Sequence, residues 1–385
     1  MLLTERTTNA HILEKVAELA ESFSRQRPER QRRRHLDPAD FERLRATGYL
    51  LTCVPEAYGG TWQGVEKSLR PVCEMLRTLA QGDSSVALVS AMHPAVLGNW
   101  LCPSPVPADR QAAWQAQCDE VFGGVKAGAQ WGTITSEPGS GGDIGKTAAG
   151  AIPDAQGNYR LSGKKHFGSG SGVLTYMVTT AIPAGEPAPD MFYVNYKGHP
   201  WDGSTGVQLV AEWEAHGMAA TQSHSLEFTG FPARRIAWSG PFDPNKLSHV
   251  IGPCTFMAVI TGIVEVAHRT AREQLAGRPA LRSFEKVEFS RAAHEAWLLG
   301  KAYGGVLADV EAGHPHTVHY AKASIAELAE SVLTRLCRVV GGSTLSRHSP
   351  YGYWAQDVKA LGFLRPPWAL AYDVLYEGAL EEKRS

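Results

Sequence analysis

The sequence predicts an α+β protein in three parts: an N-terminal α-helical domain over residues 1–125, a central antiparallel, barrel-like β domain over 126–242, and a C-terminal four-helix bundle over 243–385. Three observations carry this expectation. Apolar residues recur at helical spacing in the first part. Glycine and short β-favouring runs crowd the second. After Pro244 the helical period returns and persists.

In the first part, Leu13, Val16, Ala17 and Ala20 share one helical face, and Phe41, Leu44 and Tyr49 form a second apolar stripe. Leu69–Leu79 and Ser85–Leu97 continue the pattern, interrupted by Pro and Gly clusters at 55–60 and 103–107. The central part offers strands at Trp131–Thr135, Tyr159–Leu161, Leu174–Ala181, Met191–Tyr196, Gly206–Val210 and Ser225–Phe228. Turn residues separate them, as in Asp154-Ala-Gln-Gly157. The last part holds three long helical candidates, Val250–Leu275, Phe284–Val310 and Val318–Val340. A final helix starts near Pro367, since proline suits a first turn. Long neighbouring helices with apolar faces pack as a bundle.

Composition narrows the function. The 385 residues carry 38 Lys+Arg against 39 Asp+Glu, a net charge of −1, so nothing favours nucleic acid or an anionic membrane surface, which require clustered positive charge. The basic stretch Arg25–Arg34 alternates with Gln, Pro and Glu and reads as a solvated face. No window reaches about 18 consecutive apolar residues, and Glu5 stands where a secretory signal needs an apolar run. Six cysteines without a Cys-x-x-Cys pair read as buried free thiols, and a cytoplasmic location is expected.

Several motifs fail on inspection. Ser140-Gly-Gly-Asp-Ile-Gly-Lys-Thr147 lacks the first glycine of a phosphate loop and no helical pattern follows it. Gly168-Ser-Gly-Ser-Gly172 puts Val173 where a dinucleotide fingerprint needs its last glycine. His314, His316 and His319 lack a companion carboxylate or cysteine pattern, so a solvated loop is expected and no metal.

Two segments are more informative: Trp131-Gly-Thr-Ile-Thr-Ser-Glu-Pro-Gly-Ser-Gly-Gly-Asp143 and Leu161-Ser-Gly-Lys-Lys-His-Phe-Gly-Ser-Gly170. Each reads as a strand running into a bend rich in glycine and hydroxyls, which presents backbone N–H groups and Ser/Thr oxygens to a ligand or simply turns the chain. Phe167 beside Ser169 could cover a flat ring while bonding its edge.

Ser136-Glu-Pro-Gly-Ser-Gly-Gly-Asp143 resembles the T-E-P-G-A-G-S-D segment of the acyl-CoA dehydrogenases, and Gly163-Lys-Lys-His-Phe-Gly-Ser169 their G-x-K-x-W-I-T segment. Gly217–His224 resembles the G-M-R-x-T-x-S segment, Arg272–Phe284 the R-x-x-F-G-x-x-L-x-x-F loop, and Gly341-Gly342, Pro350 and Asp357 the late G-G…P…R-D stretch. The resemblance covers nearly the whole chain. It implies FAD between the β domain and the bundle, with FMN or a reduced flavin supplied by a reductase as alternatives. Thr135, Ser136 and Gly141 would meet the flavin at the first bend, Ser136 at the pyrimidine edge. Phe167 would stand in for the Trp that covers the isoalloxazine, and Ser169 for the Thr that bonds N5. Arg272, Gly341 and Gly342 complete the cofactor set; the glycine turn would come from a neighbouring subunit, which implies a homodimer or homotetramer.

Departures from the family pattern concern the chemistry. Family enzymes remove an α-proton with a Glu and pass a hydride to flavin N5; in ungapped register from Gly341-Gly342 that Glu position is Arg365, which cannot serve as a base. Glu377, in Tyr376-Glu377-Gly378, resembles the family's Y-E-G but comes late, and the alternative base position near Gly252-Pro-Cys254 has no carboxylate. Gly142 replaces a Ser, Ala219 an Arg, Arg338 a Gln and Gln356 an Arg, contacts that serve CoA and FAD. Two activities stay open. The leading one is dehydrogenation of an acyl thioester or related substrate, with hydride transfer to flavin N5 and an electron-transfer flavoprotein as acceptor. The other is a two-component monooxygenase that receives reduced flavin from a reductase and works by C4a-hydroperoxide chemistry, with His93, which in Ala91-Met-His-Pro94 is expected at the end of an N-terminal helix, or His348 near the flavin. A non-catalytic relative is the third reading.

Overall fold

The computed structural model describes residues 8–240 and 247–381. The expected boundary between the β domain and the bundle, at 242/243, lies outside the described residues.

The N-terminal part is built from α1 (Asn9–Arg25), α2 (Arg27–Arg30), α3 (Pro38–Ala46), α4 (Val65–Gly82), α5 (Ser84–Leu101) and α6 (Gln111–Lys126). Helix starts follow the capping residues: Asp37 accepts from the Ala39 N–H ahead of α3, and Asp83 from the Val86 N–H ahead of α5. Pro94 does not end α5. The carbonyl it frees one turn back, that of Ser90, accepts instead from the Tyr49 hydroxyl at 3.1 Å. The basic stretch is solvated at Arg25, Arg32 and Arg34, as expected, but not at Arg30. Arg30 is buried, stacked on Phe23 at 3.7 Å and bonded to Asp40 and Asp83 at 2.6 and 2.7 Å, partners that lie too far along the chain to be read from local pattern.

Seven strands follow: β1 (Trp131–Thr133), β2 (Gly150–Pro153), β3 (Tyr159–Gly168), β4 (Tyr176–Pro183), β5 (Asp190–Asn195), β6 (Val207–Ala211) and β7 (His224–Arg235). The pairings β4–β2, β2–β3, β3–β7, β7–β5 and β5–β4 close a ring, with β1 added to β4 and β6 to β7. Closure leaves the barrel without a bare edge along these strands. Most pairs are antiparallel, but β1–β4 and β2–β4 are parallel, because β1 and β2 lie end to end along one side of β4. The core-facing row of β4 and β5, including Met177, Thr179, Ala181, Phe192 and Val194, is buried.

The C-terminal part comprises α7 (Leu247–Ala276), α8 (Ser283–Glu311), α9 (Val318–Val340), α10 (Pro350–Asp357), α11 (Ala360–Phe363) and α12 (Trp368–Glu381). α7 packs against α4 and α5 as well as α8 and α9, so it is surrounded on all sides. By length and composition His249–Ala276 could cross a membrane, yet 94% of its most apolar window is buried inside the protein, which makes it the core helix of the bundle. Arg278, just past α7, donates to the Val339 and Val340 carbonyls at the end of α9. α7 and α9 therefore run the same way, and their N-terminal turns share one end of the bundle.

Candidate active site

Between β1 and β2 the chain leaves the sheet at residue 134 and returns at 149, both strands remaining docked on β4. Gly139, Gly141 and Gly142 hold positive φ in this first bend (76°, 61° and 85°), a backbone glycine adopts without strain. The Ser140 hydroxyl donates to the Glu137 carbonyl and accepts from the Gly142 N–H. Glu137 turns its carboxylate inward, where it accepts from the Ala148 N–H at 2.7 Å and from the fully buried Lys165 ammonium. Lys165 also donates to the Thr180 carbonyl at 2.6 Å. The base of the bend is thus fixed by a buried ion pair with its remaining donors and acceptors engaged.

The second bend grows from a β-bulge near the end of β3, where the register with β7 shifts between Lys165 and Gly168. Phe167 takes φ +59°, rare for a bulky residue, and its ring is 56% exposed, set edge-on to Trp213 at 6.0 Å. The His166 N–H donates to the Ser136 carbonyl at 2.8 Å, which joins the two bends. Ser169 is buried, and its hydroxyl meets that of Ser223 at 2.8 Å; Ser223 meets Thr221 at 2.7 Å. Thr135 lies buried at the mouth of the first bend, its hydroxyl unpartnered among the described residues. Thr135, Ser136, Gly141, Phe167 and Ser169 are therefore brought together.

The bundle reaches this place at two points. Arg365, in the turn between α11 and α12, donates to the Gly142 carbonyl at 2.8 Å and to the Ser136 hydroxyl at 3.3 Å. Burial lowers its pKa to about 10, opposed by the attraction of Asp143, so it remains a cation at neutral pH. A Cβ on Gly142 would stand 2.8 Å from Pro367 Cγ, so only glycine lets the turn close in. Asp357, ending α10, accepts from the Met218 N–H at 2.6 Å and the Ser84 hydroxyl at 2.5 Å, and burial pushes its pKa up to about 6. One carboxylate ties together the three parts of the chain.

The other expected residues lie elsewhere. His93 sits inside α5, not at a helix end. It is buried, its Nδ1 accepts from the Trp131 N–H at 3.2 Å, and its Nε2 has no partner among the described residues. Burial holds its pKa down to about 3, so the ring is neutral with its proton on Nε2. It stands one turn from Val89, which packs where a Cβ on Gly170 would go. Glu377 is exposed on α12, about 15 Å along the axis from Pro367 at 1.5 Å per residue. His348 is exposed as well, whereas Gly252–Cys254 is buried against α5. Arg272, Gly341 and Gly342 lie at the opposite end of the bundle, Arg272 on α7 beside a groove of about 420 Å³ that Trp297 also lines. Among the described residues no three His, Cys, Asp or Glu side chains gather to hold a metal, and His314 and His316 are exposed.

Sequence reasoning missed Trp213 and Lys322. Lys322 left a signal: it is the charged residue in the apolar row Val318, Ile325, Ala329 and Val332 of α9.

No protein-family profile matches the chain. It is 23% identical to a putative acyl-CoA dehydrogenase, YdbM, of Bacillus subtilis (strain 168), over 92% of each chain. It is 27% identical to the amino sugar nitrososynthase DnmZ of Streptomyces peucetius, covering 85% of this chain and 82% of that one. With the dibenzothiophene monooxygenase of Mycolicibacterium goodii the identity is 28%, over 71% and 66%. In three dimensions the butyryl-CoA dehydrogenase of Megasphaera elsdenii superposes with a TM-score of 0.82 at 17% identity, over 99% of both chains. KijD3, solved in complex with FMN and a dTDP-linked keto sugar, superposes at 0.81 and 20% identity, over 99% and 95%.

The fold is acyl-CoA dehydrogenase-like. Its three parts follow in the order that the sequence resemblance implied, and the acyl-CoA dehydrogenase-like fold places the hydroxyl-rich bends against the bundle through Arg365.

Proposed function

We propose that this chain is a flavin-dependent oxidoreductase that acts on a small molecule at the two bends, and that it uses reduced flavin and oxygen instead of removing an α-proton. The residues present suit a flat, polar-edged ring. The exposed Phe167 and its neighbour Trp213 would cover one face, and the Thr135, Ser136 and Ser169 hydroxyls would hold the edge. Added Cβ atoms at Gly139 and Gly141 would meet nothing within 4 Å, so the backbone of the first bend is open to a ligand. FMN and FAD both remain candidates, and bound flavin would supply the redox chemistry. In an oligomer, Arg272 and the Gly341-Gly342 turn of a second copy would complete the cofactor site.

The observation that carries the choice of chemistry is the guanidinium of Arg365, fixed on Ser136 and Gly142. No carboxylate among the described residues bonds these atoms, and Glu377 faces solvent. An arginine there can orient a substrate oxygen but cannot take its proton. His93, neutral with its proton on Nε2, is a buried donor. A flavin reductase is the partner this reading requires.

Full-length protein loaded with oxidised FAD or FMN and mixed anaerobically with acyl-CoAs of graded chain length is expected to keep its flavin absorbance. With reductase-supplied reduced flavin it is expected to consume oxygen. Bleaching by an acyl-CoA would overturn the oxygenase reading in favour of dehydrogenation, with Glu377→Gln as the variant that then examines the base. Phe167→Ala is expected to weaken riboflavin binding by about tenfold, the scale of one lost aromatic contact, with an unchanged Tm. A wild-type protein that binds no flavin removes both chemistries.

A further inference from the structure

Three lysine or arginine side chains are more than nine-tenths buried among the described residues: Arg30, Lys165 and Lys322. Arg30 is paired with Asp40 and Asp83, and Lys165 with Glu137. Lys322, 2% exposed, has no carboxylate partner among the described residues; its ammonium donates to the carbonyl of Pro366. The neighbouring Arg365 likewise makes no ion pair among the described residues, bonding only a carbonyl and a hydroxyl. The acid whose charge attracts it, Asp143, is turned to the Gly145 N–H and to Lys146. One turn before Lys322 on α9 lies His319, 7% exposed, with neither ring nitrogen hydrogen-bonded among the described residues.

Two cations and an unpartnered imidazole thus gather where the first turns of α9 meet the turn that carries Arg365. A buried cation without a counter-charge is unfavourable. Desolvation lowers the Lys322 pKa to about 8, so part of the population discharges near neutral pH unless an anion arrives. Arg30 and Lys165 each have a carboxylate against them, and among the described residues Lys322 does not.

We infer that Lys322 and Arg365, with His319 beside them, receive an anionic group of the substrate, a carboxylate or a phosphate, which fixes the substrate at the two bends. The inference rests on the functional reading above for the identity of the site, but the anion itself can be tested without flavin. Arg365 suits a planar oxyanion through its fork of N–H groups, and Lys322 adds charge from behind. An anion so placed would also gain from the N-terminal end of α9. The same chemistry could come from the phosphate of FMN or FAD; the substrate is the source proposed, because the cations stand on α9 and on the turn before α12, and neither belongs to a bend.

The probe is inorganic phosphate, with succinate as the carboxylate counterpart, each compared with chloride at equal ionic strength. Full-length protein is expected to show a saturable rise in Tm with phosphate or succinate over chloride. Lys322→Met should weaken that response by about tenfold or more, the scale of one charge-assisted bond, and should leave the anion-free Tm equal or higher. Arg365→Gln is the second variant and should weaken it likewise. A wild-type Tm that does not distinguish phosphate and succinate from chloride overturns the proposal, and so does an unchanged response in both variants. Riboflavin, FMN and FAD affinities separate the sources. Equal ratios in wild type and Lys322→Met are expected, while a selective loss of FMN and FAD binding in the variant would overturn the substrate as the source. Loss of all flavin binding in wild type with an intact phosphate response would sink the flavin reading alone.

Discussion

The guanidinium of Arg365 lies 2.8 Å from the carbonyl oxygen of Gly142, residues 223 positions apart in the chain. The contact closes the turn before α12 onto the first bend, and the absent Cβ of Gly142 is what admits Pro367 beside it. In this arrangement a fixed positive charge occupies the meeting point of barrel and bundle, which bears directly on the chemistry available there.

Asp357 has a folded-state pKa of about 6, raised above its ordinary value by burial. A raised pKa means that the folded state holds the proton more tightly. The associated stability is fully present below the unfolded value near 3.9 and is lost as pH rises through about 6. Two pKa units correspond to about 3 kcal/mol, an order-of-magnitude figure. Asp357→Asn removes the charge, keeps an oxygen to accept from the Met218 N–H and turns its amide N–H to the Ser84 oxygen, which can accept as well as donate, so its Tm at pH 7.5 should equal or exceed that of wild type, with the advantage gone by pH 4. Asp357→Ala should instead lower Tm, since two buried donors lose their partner. Thermal melts across that pH range check both.

Lys165 and Glu137 form the buried pair beneath the first bend. Lys165→Met strands the carboxylate and should destabilise the protein by about 3–5 kcal/mol. Adding Glu137→Gln should recover much of that loss, because the amide oxygen still accepts from the Ala148 N–H. Urea titrations of the single and double variants measure the coupling; equal losses in both would mean that the pair is not the source of the effect.

His93 carries the opposite sign from Asp357. Its folded pKa, lowered to about 3 by burial, contributes stability that is present above the unfolded value near 6.5 and is lost as pH falls toward 3. Nitrogen NMR of the imidazole should show one neutral tautomer, protonated at Nε2, from pH 8 to pH 5. A titration near pH 6.5 would contradict the buried geometry.

Much of this architecture was legible in the sequence, for identifiable reasons. Val318–Val340 reads as a helix with the limits it has, because its apolar row is unbroken apart from Lys322 and the glycine at 341 ends it. Ser136 and Phe167 were legible as neighbours only through the resemblance, since the bond between His166 and the Ser136 carbonyl joins bends some 30 residues apart. Strand β2 went unread: Gly150-Ala-Ile-Pro153 has one β-branched residue, and its pairing with β3 and β4, not its propensity, makes it a strand. Pro94 suggested a helix end at His93, which the Tyr49 hydroxyl averts by occupying the freed carbonyl. Trp213 could not be foreseen, because its meeting with Phe167 depends on a bulge.

The end-to-end placement of β1 and β2 on β4 has a consequence for how such a protein can change. Thr133 is locked opposite Val178, and Gly150 opposite Ile182. Residues 134–149 therefore form a cassette on a fixed chassis. New sequence there can reshape what is recognised, provided those two anchor points keep their partners and Glu137 and Gly142, which seat the cassette on Lys165 and Pro367, are retained.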